Sequence, residues 1–225
     1  LAFGIPVQFN KAHVEGINKL NAIDIKYAEQ LGYRIKLLGI AKRMPDGIEL
    51  RVHPTLIPAK RLIANVEGAM NAVLVNSDAV GATLYYGKGA GSEPTASAVI
   101  ADLVDIARLE SVNPEHRVPP LAFQPDAMKN TPVLPMSEVT TSYYLRMQVK
   151  DQPGVLAEIT RILADLNISI DAFLQKEPQE GETLVDIIIL THLTQEKNMD
   201  AAIEKVENLS TVMGKVTKIR LEELM

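Results

Sequence analysis

The last third of the chain is the stretch that most narrows what it can fold into, because its apolar residues change period in a fixed order. Leu145, Met147 and Val149 alternate as one face of a strand does. Asp151-Gln152-Pro153-Gly154 is turn chemistry, and Val155, Ile159, Ile162, Leu163 and Leu166 then recur at helical spacing. Asn167 and Ser169 interleave with Ile168 and Ile170 in a second strand that continues to Leu174. After a polar turn at 177–182, residues 184–190 are apolar on both faces and read as a buried strand. Met199, Ala202, Ile203, Val206 and Leu209 stripe a second helix, and 212–220 closes with a strand. The order is βαββαβ. Two helices on one face of a four-stranded antiparallel sheet bury both stripes in the ferredoxin-like way.

Upstream, punctuation says more than period. Asn21-Ala22-Ile23-Asp24 is a capping box with Asp in place of the usual Glu, and Gly32 stands where a helix ends. A helix over 22–31 follows, with Ile25, Ala28 and Leu31 as its inner face. Residues 34–41 and 48–52 are strands around the hairpin turn Pro45-Asp46-Gly47, and their alternating charges give one wet face. The stretch 65–75 fits a helix or a strand; it is read as a turn into a strand at 72–75, followed by a strand at 82–86. A helix over 94–108 carries Val99, Leu103 and Ile106 on one stripe. From 110 to 141, Pro114, Pro119, Pro120, Pro125, Pro132 and Pro135 interrupt every helix, which makes this a surface linker between domains at 1–109 and 142–225.

Composition removes several function classes. With 225 residues, 47% of them hydrophobic, the chain buries a real core. A net charge of -5 without a basic run excludes a nucleic-acid surface. Cysteine is absent, so there is no thiolate nucleophile and no cysteine zinc cluster, and an intracellular, cytoplasmic setting fits. No apolar run approaches the roughly 20 residues of a membrane span. The apolar start Leu1-Ala2-Phe3-Gly4-Ile5-Pro6-Val7 reads as a cut through an element of a longer protein.

Two stretches are candidates for chemistry. In Gly87-Lys88-Gly89-Ala90-Gly91-Ser92-Glu93-Pro94, glycines at alternate positions leave the backbone open to close approach, and the helix that follows starts with small residues. Its free N–H groups attract an anion or a carbonyl oxygen, although a tight strand-to-helix turn needs the same residues. The stretch lacks the third glycine of a dinucleotide fingerprint and the Ser or Thr of a phosphate loop. In the second stretch, Asp151-Gln152-Pro153-Gly154, Gly154 opens a helix start to a carboxylate while Asp151 suits an ammonium group, as a free amino acid requires; the alternative is that Asp151 caps the helix. The histidines at 13, 53, 116 and 192 stand too far apart for a local metal or catalytic pair, so no catalytic residue and no metal ligand is assigned.

These residues together resemble a known family. Asp151-Gln152-Pro153-Gly154-Val155-Leu156 with Leu166-Asn167-Ile168-Ser169-Ile170 resembles an ACT domain, an amino-acid-sensing module. Val14-Glu15-Gly16-Ile17, Leu31-Gly32-Tyr33-Arg34-Ile35-Lys36-Leu37, Val52-His53-Pro54 and Gly89-Ala90-Gly91 with Pro94-Thr95-Ala96-Ser97-Ala98-Val99 resemble the catalytic region of homoserine dehydrogenase. The resemblance implies an α+β / α/β fold class, a mixed-sheet portion of the substrate domain followed by the ferredoxin-like ACT domain. It implies NAD(P)-dependent interconversion of aspartate 4-semialdehyde and homoserine, with NADP or NAD bound mostly by a nucleotide domain that would precede Leu1, as would the catalytic lysine. A fragment without them is expected to be inactive. Gly87, Gly89 and Gly91 then approach the cofactor, with Gly89 and Gly91 favoured, and Asp151, Pro153, Gly154, Val155, Asn167 and Ile168 contact an effector, threonine in this family. A dimer or tetramer is implied. A pure binding and dimerisation module without catalysis is the alternative.

Overall fold

The computed structural model describes residues 2–113, 116–119, 122–176 and 183–224. They form two compact units that interleave along the chain: Gln8–Pro58 with Thr131–Leu224, and Ala59–Asn130 with the N-terminal residues up to Val7.

The larger unit begins with a two-residue strand, β1 (His13–Val14), helix α1 (Ala22–Gln30) and the hairpin of β2 (Tyr33–Met44) and β3 (Gly47–Pro58). The capping box forms: Asn21 Oδ1 accepts from the Ile23 N–H at 3.2 Å, and Asp24 Oδ2 accepts from the Asn21 N–H at 3.3 Å. The inner face that spacing predicts holds at Ala28 and Leu31 but not at Ile25. Ile25 is 47% exposed, whereas Asp24, Tyr27 and Ala28 are buried. Asp24 is the cause, since its carboxylate takes Arg146 Nε at 2.5 Å and the Tyr144 hydroxyl at 3.0 Å. The hairpin is also longer than predicted, with Tyr33 to Met44 in unbroken register against Gly47 to Pro58. Nor is β3 wet on one face: Glu49 and Arg51 are buried, because Arg51 donates to Glu49 at 3.0 Å and to Glu222 at 2.5 Å.

In the smaller unit β4 (Met70–Ser77) and β5 (Gly81–Lys88) pair antiparallel as an isolated ribbon, and helix α2 (Ser92–Glu110) follows. Pro94 is the third helical residue rather than the first, still within the turn that needs no N–H from it. The stripe Val99, Leu103 and Ile106 lies at 53%, 59% and 65% exposure, and no residue of α2 is buried. Ile100, on another side, is 60% exposed. Apolar residues around so much of a helix mark it as one made to be covered.

The second half of the larger unit is the predicted βαββαβ series: β6 (Thr140–Lys150), α3 (Val155–Asp165), β7 (Ile170–Gln175), β8 (Leu184–Thr191), a two-residue strand β9 (Thr194–Gln195), α4 (Glu196–Glu207) and β10 (Val212–Leu221). The polar turn at 177–182 lies outside the described residues. Strand β7 starts three residues later than alternation predicts, because Asn167 and Ile168 close α3. Asn167 sits at φ +56°, its N–H donates to Ala164 O at 3.0 Å, and the Ile168 N–H donates to Leu163 O at 2.9 Å. This is a Schellman cap with its apolar contact, since Ile168 and Leu163 share one core.

The sheet does not end at β10. Its path is β1-β3-β10-β6-β8-β7, and β10 runs parallel to β3 with Arg220 opposite Thr55 and Leu221 opposite Leu56. Because β2 fills the other edge of β3, β1 and β10 share one edge end to end. One face of the sheet packs Tyr143, Leu145, Met147, Ile187 and Ile189 under α3 and α4. The opposite face packs Tyr144, Ile188, Leu190, Ile219 and Leu221 with Tyr27, Ala28 and Leu56. The proline-rich stretch is not wholly a surface run either: the Ile48 N–H donates to Pro132 O at 2.9 Å and the Leu134 N–H to Ile48 O at 2.9 Å.

Candidate functional site

The glycine stretch lies at the end of the ribbon. Strand β5 runs through Gly87 and Lys88, the Gly89 N–H donates to Ala69 O at 3.3 Å, and Gly91 is the N-cap of α2 without a side-chain cap. All three glycines are exposed. Each is glycine for a different reason. Gly91 takes φ +118°, a conformation L side chains rarely adopt. A Cβ at Gly89 would come within 2.2 Å of Asn71 Nδ2. A Cβ at Gly87 would meet nothing within 4 Å, so the chain itself does not account for glycine there. Of the three, Gly87 is the position at which the fold leaves room for a side chain. In denaturant unfolding, Gly91→Ala is expected to cost about 1–3 kcal/mol from backbone strain. Gly89→Ala should cost less than about 1 kcal/mol, because the exposed Asn71 amide swings away, and Gly87→Ala should stay within about 0.5 kcal/mol.

The second candidate splits in two. Asp151 is exposed, and its N–H donates to Thr183 O at 3.0 Å. It does not cap α3: the N-cap is Gly154, at φ +94°, with no side-chain cap. Asp151, Pro153 and Gly154 thus form an exposed loop over a helix start whose amides no side chain takes, and Val155 is buried beneath it. Asn167 and Ile168 lie at the other end of the same 11-residue helix, about 16 Å away along its axis. Within one chain the structure brings the first four together and the last two together, but not the two sets.

Sequence reading missed the buried charges. Arg220, 2% exposed, donates from Nε to Glu196 Oε2 at 2.9 Å and from Nη2 to Glu196 Oε1 at 2.5 Å. The same guanidinium donates to both oxygens of Glu15, at 3.1 Å and 3.0 Å. Tyr143 donates to Glu196 at 2.7 Å and Lys218 at 2.5 Å. Burial works against the Glu196 carboxylate, but the hydrogen bonds and charge of Arg220, then Lys218, outweigh it and hold the pKa at about 2. Glu15 is likewise held at about 2 by Arg220 and His13 against its burial. On β3, Arg51 Nη1 donates to His53 Nε2 at 2.9 Å, so the proton of the neutral ring is on Nδ1, 3.0 Å from Pro54 O. Burial lowers the His53 pKa to about 4. A recess of about 380 Å³ opens beside this cluster, walled by Glu15, Lys19 and residues 215–219 of β10 and floored by Pro54. The only trace of these groups in the sequence is charge on alternate residues of strands otherwise apolar, at Glu49, Arg51 and His53 and at Lys218 and Arg220.

Comparison with known proteins follows the same division. Residues 1–104 match the family described as homoserine dehydrogenase, and residues 143–211 match the ACT domain. The chain is 57% identical over 224 residues to a homoserine dehydrogenase of Pseudomonas aeruginosa, covering 100% of the chain and 52% of that relative. It is also 57% identical over 224 residues to one of Neisseria gonorrhoeae, covering 100% of the chain and 51% of that protein. The crystal structure of a homoserine dehydrogenase from Thiobacillus denitrificans superposes with a TM-score of 0.92 at 66% identity, covering 100% of the chain and 50% of that structure. The chain spans about half the length of the curated relatives it matches.

Proposed function

Since this chain belongs to the homoserine dehydrogenase family and carries an ACT domain, we propose that it is the part of an NADP- or NAD-dependent enzyme that supplies one wall of the coenzyme cleft and the amino-acid sensor. The reaction is the interconversion of L-aspartate 4-semialdehyde and L-homoserine in the cytoplasm, on the route to threonine and methionine. The nicotinamide coenzyme supplies or accepts the hydride. Gly87, Gly89 and Gly91 admit it to the backbone, and the observation that carries this role is the open space at Gly87. No catalytic residue is assigned to this chain, and the 225 residues alone turn over neither substrate. In family terms 1–109 is the substrate and dimerisation portion, 110–141 the connecting segment and 142–225 the sensor.

Threonine is the proposed effector. Asp151, Pro153, Gly154 and Val155 form its binding loop, while Asn167 and Ile168, whose placement the cap of α3 already accounts for, enter through the family likeness. The exposed apolar sides of α2 and of the ribbon fit a homodimer or a higher oligomer. A bare amino-acid-binding module is not favoured, because 1–104 match the dehydrogenase family.

The discriminating substitution is Gly87→Ala in the full-length enzyme. The coenzyme KM should rise at least about tenfold, equivalent to about 1.4 kcal/mol, with the unfolding midpoint unchanged. An unchanged KM would remove the cofactor role from this stretch.

A further inference from the structure

The proline-rich stretch is one physical connection between the two family regions, and the structure contains a stronger one. Strand β10 belongs to the βαββαβ series and β3 to the dehydrogenase region, yet they are neighbours in one sheet, and the Glu222 N–H extends the ladder to Leu56 O at 3.0 Å. Helix α1 covers the face of that sheet which α3 and α4 leave bare, putting Tyr27 and Ala28 in one core with Tyr144, Ile188, Leu190 and Ile219. Among the described residues, ion pairs cross between the regions at Arg51–Glu222, beside the seam itself, and at two further ties. Arg146 of β6 grips both oxygens of Asp24 on α1, at 2.5 and 3.1 Å, beside the Tyr144 hydroxyl. Arg220 of β10 grips Glu15 on one side and Glu196, the first residue of α4, on the other.

Resting on the reading of 142–225 as an amino-acid sensor, we propose that effector occupancy is read out by residues 13–58, through the β3–β10 seam and the Asp24–Arg146 and Glu15–Arg220 ties. Strand β6 runs from Tyr144 and Arg146 straight to the Asp151–Gly154 loop. The four residue steps from Arg146 to Lys150 span about 13 Å of extended chain. A close-packed interior transmits displacement along such a strand rather than absorbing it. Ordering of the loop by a ligand therefore reaches α1 through the pair on Asp24. It reaches β3, whose last residue Pro58 leads directly into the other compact unit, through β10. The Asp24–Arg146 pair suits this transfer best, because the Asp24 carboxylate has no exposure and does not exchange its partner for water.

Linkage makes the idea reciprocal: whatever binding does to α1, α1 does to binding. Hydrogen exchange of the 225-residue chain with and without L-threonine should show added protection at 22–30 and 51–57 together with the 151–170 stretch. In calorimetry Asp24→Asn, which keeps an acceptor for Tyr144, should weaken threonine at least about fivefold. Heat of binding with protection confined to 143–211, or with unchanged affinity in Asp24→Asn, overturns the proposal and leaves the sensor standing. No heat with the unaltered chain removes the sensor and the proposal together.

Discussion

Replacing Arg220 with methionine is expected to cost the larger unit about 3 kcal/mol or more of unfolding free energy, toward the lower end of the 3–5 kcal/mol typical of a broken buried pair. The guanidinium is 2% exposed and makes four hydrogen bonds to two carboxylates. Without it the buried Glu196 keeps only Lys218 and the Tyr143 hydroxyl, which is why the loss stays near the lower limit. Glu15, with its side chain 38% exposed, recovers water and contributes little, so Glu15→Gln should cost about 1 kcal/mol or less. Urea unfolding of the two variants decides the matter. Equal losses would show that the cluster is a surface network rather than a buried one.

Stability should also fall in two stages on acidification. The His53 pKa is lowered to about 4 in the folded chain against 6.5 for the free side chain. Between those values the unfolded state takes the proton first, so the contribution is complete above about pH 6.5 and is lost as the pH falls toward 4. It amounts to about 3 kcal/mol for a shift of this size. Glu196 and Glu15 act in a lower window. With folded pKa values near 2 against 4.5, their contribution is present above about pH 4.5 and disappears as the pH falls toward 2. Urea midpoints followed from pH 8 to pH 3 should show both stages. His53→Gln should abolish the first and keep the second; a profile flat from 7 to 4.5 would mean that the ring is not held neutral.

Much of the candidate site was legible for a local reason. Gly91 and Gly154 stand where the backbone takes positive φ at a helix start, and turn chemistry is written in neighbouring residues. What separates the three glycines is not local. Gly89 depends on Asn71 across the hairpin, and Gly87 on the absence of any neighbour. The exposure of Ile25 on α1 has the same origin: counting apolar residues selects it beside Ala28 and Leu31, but Asp24 finds Arg146 and Tyr144 more than a hundred residues later and is buried instead.

By itself the sequence determined the period of each element, and with it the βαββαβ order, the two helical stripes and the hairpin around Pro45-Asp46-Gly47. Periodicity states which residues of an element share a side, because that depends on residues one turn or one pleat apart. It does not state what the side is turned toward. That β10 lies against β3, that α1 closes the bare face of the sheet, and that Asp24, Glu49 and Glu196 are buried against arginines were decided only by tertiary structure. Each requires a partner distant in the chain to repay the loss of water, and no local pattern of residues records that partner.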